Sequence, residues 1–277
     1  KIYTEYQKLM LVVLYRRSNQ SFIRFKNSLF ETRWPKWLQL KEIPSKSAIH
    51  SWFQSLPVET LEHLNQFVIQ KVEPELLAID ATGIDSWQRS RHYEKRVGKA
   101  PMPYAKLDLV VDTNTKIVLD HVLRMKPRHD VIGAEQMLKR TSLKNCKLLG
   151  DKGYDCEALH VLAHSKRIDF FAPLRNRERK RIMGFHRRRC VNGNDDYSRR
   201  SIAESVIHSL KAVHVQSLKS RLHWMKKKEI RLAIIIYNLE LIAKNKNIEI
   251  QLIIEIQISI LDRALIPKGL NTHNPKE

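Results

Sequence analysis

The stretch from Tyr197 to Lys211, within DYSRRSIAESVIHSLKAV, places the tightest limit on the fold. On a helix advancing about 100° per residue, Tyr197, Glu204 and Lys211 fall within roughly 60° of Arg200, so four chemically active side chains share one stripe. Ile202, Ala203, Val206, Leu210 and Val213 fall opposite, as a packing face should. A helix of this kind needs a layer to lie on and offers an acid flanked by cations and a phenol. A carboxylate that can bind metal beside phosphate-gripping donors suits phosphoryl transfer on nucleic acid.

One acid neither neutralises a divalent cation nor fixes two of them, so further carboxylates are required. Asp80 lies in ELLAIDATGI, an apolar run with the pattern of a buried strand, where a carboxylate is costly unless it is paired or ligates a metal. Asp151 opens DKGYD after Cys146–Gly150, where a short strand meets a turn. Ligands collect at the carboxyl ends of strands in open α/β sheets. Two strand acids and one helix acid can converge.

Element order supports a mixed sheet. Ala105–Val111 and Ile117–Leu123 alternate or are β-branched, and Asp112–Thr115 joins them as a hairpin. A helix is predicted from near Asp130 through Leu138, then the short strand into Asp151, a helix after Asp155, and a strand Ile168–Ala172 stopped by Pro173. Asp130 and Asp155 are read as helix N-caps, Asp108 and Asp120 as residues of solvated strand faces, and Tyr154 as packing.

Asp80 in IDATGI, Asp151 in DKGYD and the Tyr197, Arg200, Glu204, Lys211 series resemble the DDE transposases of insertion sequences of the IS4 and IS5 groups, whose third motif has the spacing Y-x2-R-x3-E-x6-K. The resemblance covers residues 74 to 245. It implies an α/β, ribonuclease-H-like mixed sheet flanked by helices, with an N-terminal helical region. The implied organisation is residues 1–72 helical, for end binding or dimer contact, 73–245 catalytic, and 246–277 a tail. It also implies catalytic and metal-binding roles for Asp80, Asp151 and Glu204, with two Mg2+ ions per site for which Mn2+ could substitute. Tyr197, Arg200 and Lys211 would contact DNA. The implied partners are terminal inverted repeats, target DNA and a second copy of the chain, in a prokaryotic, nucleoid-associated cytoplasmic setting. The rival reading within the same family is an inactive or domesticated DNA-binding descendant.

Composition agrees with a polyanionic partner. Lys and Arg number 50 against 29 Asp and Glu, a formal charge of +21. The segment Arg175–Arg189 is dense in cations, and Arg187, Arg188 and Arg189 are candidate DNA contacts; Lys219, Arg221, Lys226, Lys227, Lys228 and Arg231 extend the basic surface. Cys146, Cys156 and Cys190 form neither a disulfide framework nor a zinc pattern. Residues 230–243 and 250–261 are apolar, but each is short and interrupted by charge, so no membrane span is expected. The chain opens on Lys1 with no signal-peptide pattern, as a trimmed sequence would. In the N-terminal region, Leu9, Val12, Val13 and Tyr15 fit an amphipathic helix, Pro57 fits a helix's first turn, and Ser45–Phe53 reads either as a recognition helix or as part of a plain bundle.

Overall fold

A computed structural model describes residues 2–70, 72–85, 96, 105–125, 129–175, 182–215 and 218–246. Residues 176–181 of the basic segment, the apolar run 250–261 and the tail from 247 lie outside the described residues. The chain divides into two compact units, Lys1–Phe67 with the chain from Leu239, and Val68–Asn238.

The N-terminal unit is helical. Helix α1 (Glu5–Ser18) starts at a capping box in which Thr4 accepts from the Gln7 N–H and Gln7 reaches back to the Thr4 N–H. Met10 to Arg16 are buried in unbroken succession, so α1 is enclosed around its circumference where the sequence pattern predicts one buried face. Helices α2 (Phe22–Glu31) and α4 (Lys46–Ser55) are capped by Ser21 and Ser45, while α3 (Trp34–Trp37) is a single turn. Ile49 and Phe53 bury one face of α4, which packs on α1 and α2. Helix α5 (Val58–Ile69) follows Pro57.

The second unit holds a five-stranded sheet in the order β3-β2-β1-β4-β5. Strands β1 (Leu76–Ile84), β2 (Ala105–Asp112) and β3 (Val118–Arg124) form an antiparallel meander, whereas β4 (Cys146–Leu149) and β5 (Ile168–Phe171) run parallel to β1. This is the mixed sheet expected above. The β2–β3 turn is fixed by Asp112, whose carboxylate accepts from the Thr115 N–H at 2.8 Å and hydroxyl at 2.6 Å. Helices α6 (Asp130–Arg140) and α7 (Glu157–Ser165) are the crossovers that parallel strands require. Helix α8 (Ser201–Ser209) packs on β1 and β2, and α9 (His223–Lys246) follows. Among the described residues no helix is long and apolar enough to cross a membrane.

Several polar residues sit where the sequence does not put them. Asp108 has no exposed surface and is held by both Nε and an Nη of Arg124 at 2.8 Å, rather than lying on a solvated face. Helix α6 covers it, and a Cβ on Gly133 would overlap its carboxylate. Asp130 is the first residue of α6, not its cap, and pairs with Lys106; the cap position belongs to His129, which makes no capping bond. Cys156 occupies the cap of α7, and Asp155 instead accepts from Arg187. Asp120 is half-buried and engaged by Arg140. Tyr154 is fully buried, its ring against Gly150, as a packing residue should be.

Candidate active site

The strand register brings the two aspartates together. Ala78 of β1 pairs with Leu149 of the parallel strand β4, and Asp80 and Asp151 each lie two residues beyond that pair. Equal offsets from the last pair give both side chains the same phase of the pleat, on neighbouring chains that a sheet spaces about 4.8 Å apart. Asp151 keeps an extended backbone (φ −78°, ψ −179°) and its carboxylate accepts the Gly153 N–H at 2.7 Å, which closes the turn behind it. That turn is clamped by Arg175, whose guanidinium donates to the carbonyls of Lys152 at 2.7 Å and Gly153 at 2.6 Å.

The signature segment is three kinds of helix in succession. Asp195–Arg200 is a 3-10 turn, Ser201–Ser209 is α8, and Leu210–His214 is a π turn closed by the Val215 N–H to the Leu210 carbonyl at 2.8 Å. In the 3-10 turn, residues three apart eclipse one another, so Tyr197 and Arg200 share a side, and Arg200 and Glu204 then meet at the helical i,i+4 spacing. The π turn advances each residue by roughly 80° instead of 100° and so shifts the phase after Leu210. Ala203, Val206 and Leu210 are buried as the pattern predicts, but Val213 is 58% exposed and His214 takes its place inside.

Arg200 is the centre of the cluster. One guanidinium nitrogen lies 3.9 Å from an Asp80 oxygen, another bonds Glu204, and the group is in electrostatic contact with Tyr197. Lys211 donates to the Thr82 hydroxyl at 3.2 Å and the Gly83 carbonyl at 3.0 Å, which ties the segment to the strand that carries Asp80. Burial pushes the Asp80 carboxyl up to about 6; the Ala81 N–H and Arg200 oppose the rise, while Asp151 and Glu204 add to it. Two acids close enough to disfavour the charge on a third make a site short of positive charge.

The donor set fits a hard divalent cation, since it offers carboxylate oxygen and neither thiolate nor imidazole. Among the described residues no three such side chains stand close enough to cage a metal directly. Glu204, with its side chain 54% exposed, reaches to Arg200, and the guanidinium supplies the positive charge between Glu204 and Asp80.

Over residues 71–239 the sequence matches the family of the transposase DDE domain. The chain belongs to that family. The match spans all three acids and the whole sheet of this DDE domain. No curated protein matches. Among solved structures, a piggyBac transposase in its synaptic complex with hairpin DNA is similar over 96% of this chain and 73% of that one, with a TM-score of 0.49 and 10% identity. The family assignment rests on the sequence match.

The basic residues of the DDE domain divide sharply. Arg187 donates twice to Asp155, at 2.6 and 2.7 Å, and again to the Met183 carbonyl, so its guanidinium is engaged in internal bonds. Arg188 and Arg189 are exposed and stack at 6.0 and 5.7 Å from the Phe185 ring. Lys226 and Lys228 are buried, against the expectation of a basic surface there, while Arg221 and Lys227 are exposed. In the sequence Arg175 is one more cation of a charge run, and its clamp on the Asp151 turn is not visible there. The buried acid Asp155, in DKGYD, was the available signal.

Proposed function

We propose that this chain is a DNA transposase that cleaves the ends of an insertion sequence and joins them to target DNA by phosphoryl transfer. Asp80, Asp151 and Glu204 would hold two Mg2+ ions, with Mn2+ able to substitute, and the chain would act on paired ends as a homodimer. The observation that carries the reading is the common offset of Asp80 and Asp151 on adjacent parallel strands, with Glu204 joined to Asp80 through Arg200. Divalent ions bound there supply charge stabilisation of the transferring phosphoryl group and a more acidic attacking water or 3′-hydroxyl.

The chain's own residues do the rest. Asp80, half-buried and in electrostatic contact with both other acids, would be one of the carboxylates that hold the ions. Arg200 exchanges Glu204 for a phosphate oxygen, a swap between two anions that its planar fork can grip equally well. Lys211 keeps its ammonium beside the Asp80 strand through Thr82 and Gly83 and presents its remaining proton to the backbone of the cleaved end. Tyr197 hydrogen-bonds a phosphate or stacks on a sugar. Nothing in this arrangement calls for a covalent protein–DNA intermediate.

Glu204→Gln tests the reading, because it keeps shape and helix propensity while removing a hard anionic ligand. Mg2+-dependent strand cleavage should collapse while duplex binding survives. Cleavage at the wild-type rate refutes the role.

A further inference from the structure

A cavity of about 540 Å3 opens along β5, the strand at one end of the sheet. Its volume is in the range of small-molecule sites. Helix α7 contributes His160 and, one turn on, His164, followed by Arg167; His186 and Arg189 also line the cavity. Two guanidiniums and three imidazoles thus face a single carboxylate, the exposed Asp169. Such a balance selects an anion.

The cavity also has flat, unsaturated surfaces. The rings of His164 and His186 lie 4.8 Å apart at 43°, and Phe185 backs His186 at 5.2 Å. His160 is only 4% exposed, with its ring 4.7 Å from Phe170, and its Nε2 has no hydrogen-bond partner. A buried ring nitrogen left unbonded costs on the order of 1–3 kcal/mol. Phe171 lines the same cavity, and its ring meets Tyr197 at 5.5 Å, edge to face, which links the cavity to the signature segment.

We propose that this cavity binds a nucleotide of the DNA strand that continues past the carboxylates, with its phosphate on Arg167 and Arg189 and its base against the imidazoles of His164 and His186. The source of the nucleotide rests on the transposase reading; the chemistry of the cavity does not.

Proton–carbon NMR of the histidine rings tests it on the full chain, with His164→Gln and His186→Gln used to assign signals. The probes are thymidine 5′-monophosphate, thymidine, inorganic phosphate and a short single-stranded oligonucleotide. Both ring signals should shift with the monophosphate and the oligonucleotide, and far less with thymidine or phosphate alone. Binding should weaken at least about tenfold in Arg167→Ala/Arg189→Ala, which loses both charge-assisted contacts. Equal shifts with inorganic phosphate would make this an anion pocket and overturn the nucleotide assignment. Absent shifts, or shifts undiminished in the double variant, overturn the site altogether. Glu204→Gln should keep every shift, so loss of cleavage and loss of this site are read separately.

Discussion

Replacing Arg187 with alanine separates two uses of a basic residue. If Arg187 gripped DNA, the variant would bind DNA more weakly and be as stable as before. The structure predicts the reverse. Asp155 has a side chain only 1% exposed and Arg187 one 23% exposed, joined by two short bonds. Removing one partner of a buried pair costs roughly 3–5 kcal/mol, mostly for the charge left behind. Asp155 keeps the Arg175 N–H at 3.0 Å and Arg187 is partly hydrated, which lowers the expected cost to about 2–3 kcal/mol. For a unit of this size that is a fall in Tm of roughly 5–10 °C. Acidity supplies a further check. Burial pushes the Asp155 carboxyl up, but Arg187 and the Arg175 N–H outweigh it and hold the group below its ordinary value. Its contribution is therefore complete above the ordinary carboxylate range and is lost as pH falls through the depressed value. Without Arg187, burial dominates, the folded carboxyl rises, and acid relieves the penalty; the Tm gap between wild type and variant should narrow from pH 7 towards pH 4. Thermal unfolding by circular dichroism across that range is the assay, with Asp155→Asn completing a double-mutant cycle. An unchanged Tm accompanied by weaker DNA binding would refute this account of the pair.

Other substitutions should separate as cleanly. Arg188→Ala/Arg189→Ala, at exposed positions, should leave Tm within about 1 °C and reduce the dependence of log affinity on log salt by about two, measured by fluorescence anisotropy on duplex DNA. Gly133→Ala drives a methyl group into the Asp108 carboxylate and should cost about 2–4 kcal/mol in chemical denaturation; an unaltered midpoint would mean that α6 lies further from β2. Asn238 accepts from the Val118 N–H and donates to its carbonyl, both at 2.9 Å. Asn238→Ala leaves two buried backbone groups unpaired and should cost about 2–3 kcal/mol, read as faster amide exchange along β3.

Much of this architecture can be read from the chain because its signals are local. A continuous apolar run locates β1, alternating or β-branched runs locate β2 and β3, and a strand followed by a glycine and an aspartate locates β4 and Asp151. Other features depend on what lies above a residue. Lys106 and Asp108 alternate with apolar neighbours as on a half-solvated strand, but this sheet carries helices, and α6 closes over Asp108 through Gly133. Asp155 resembles a cap because it precedes a helix, and its true partner, Arg187, is remote in sequence. The phase shift that exposes Val213 and buries His214 comes from the π turn Leu210–His214, whose i→i+5 bonding no side-chain pattern encodes.

Anomalous diffraction from crystals of the full chain grown with Mn2+ and a DNA duplex carrying the element's end addresses the central claim most directly. The account predicts Mn2+ peaks among the carboxylates of Asp80, Asp151 and Glu204, with Arg200 moved from Glu204 onto a phosphate. Arg200 still bound to Glu204, with Mn2+ held elsewhere and DNA in place, would contradict it.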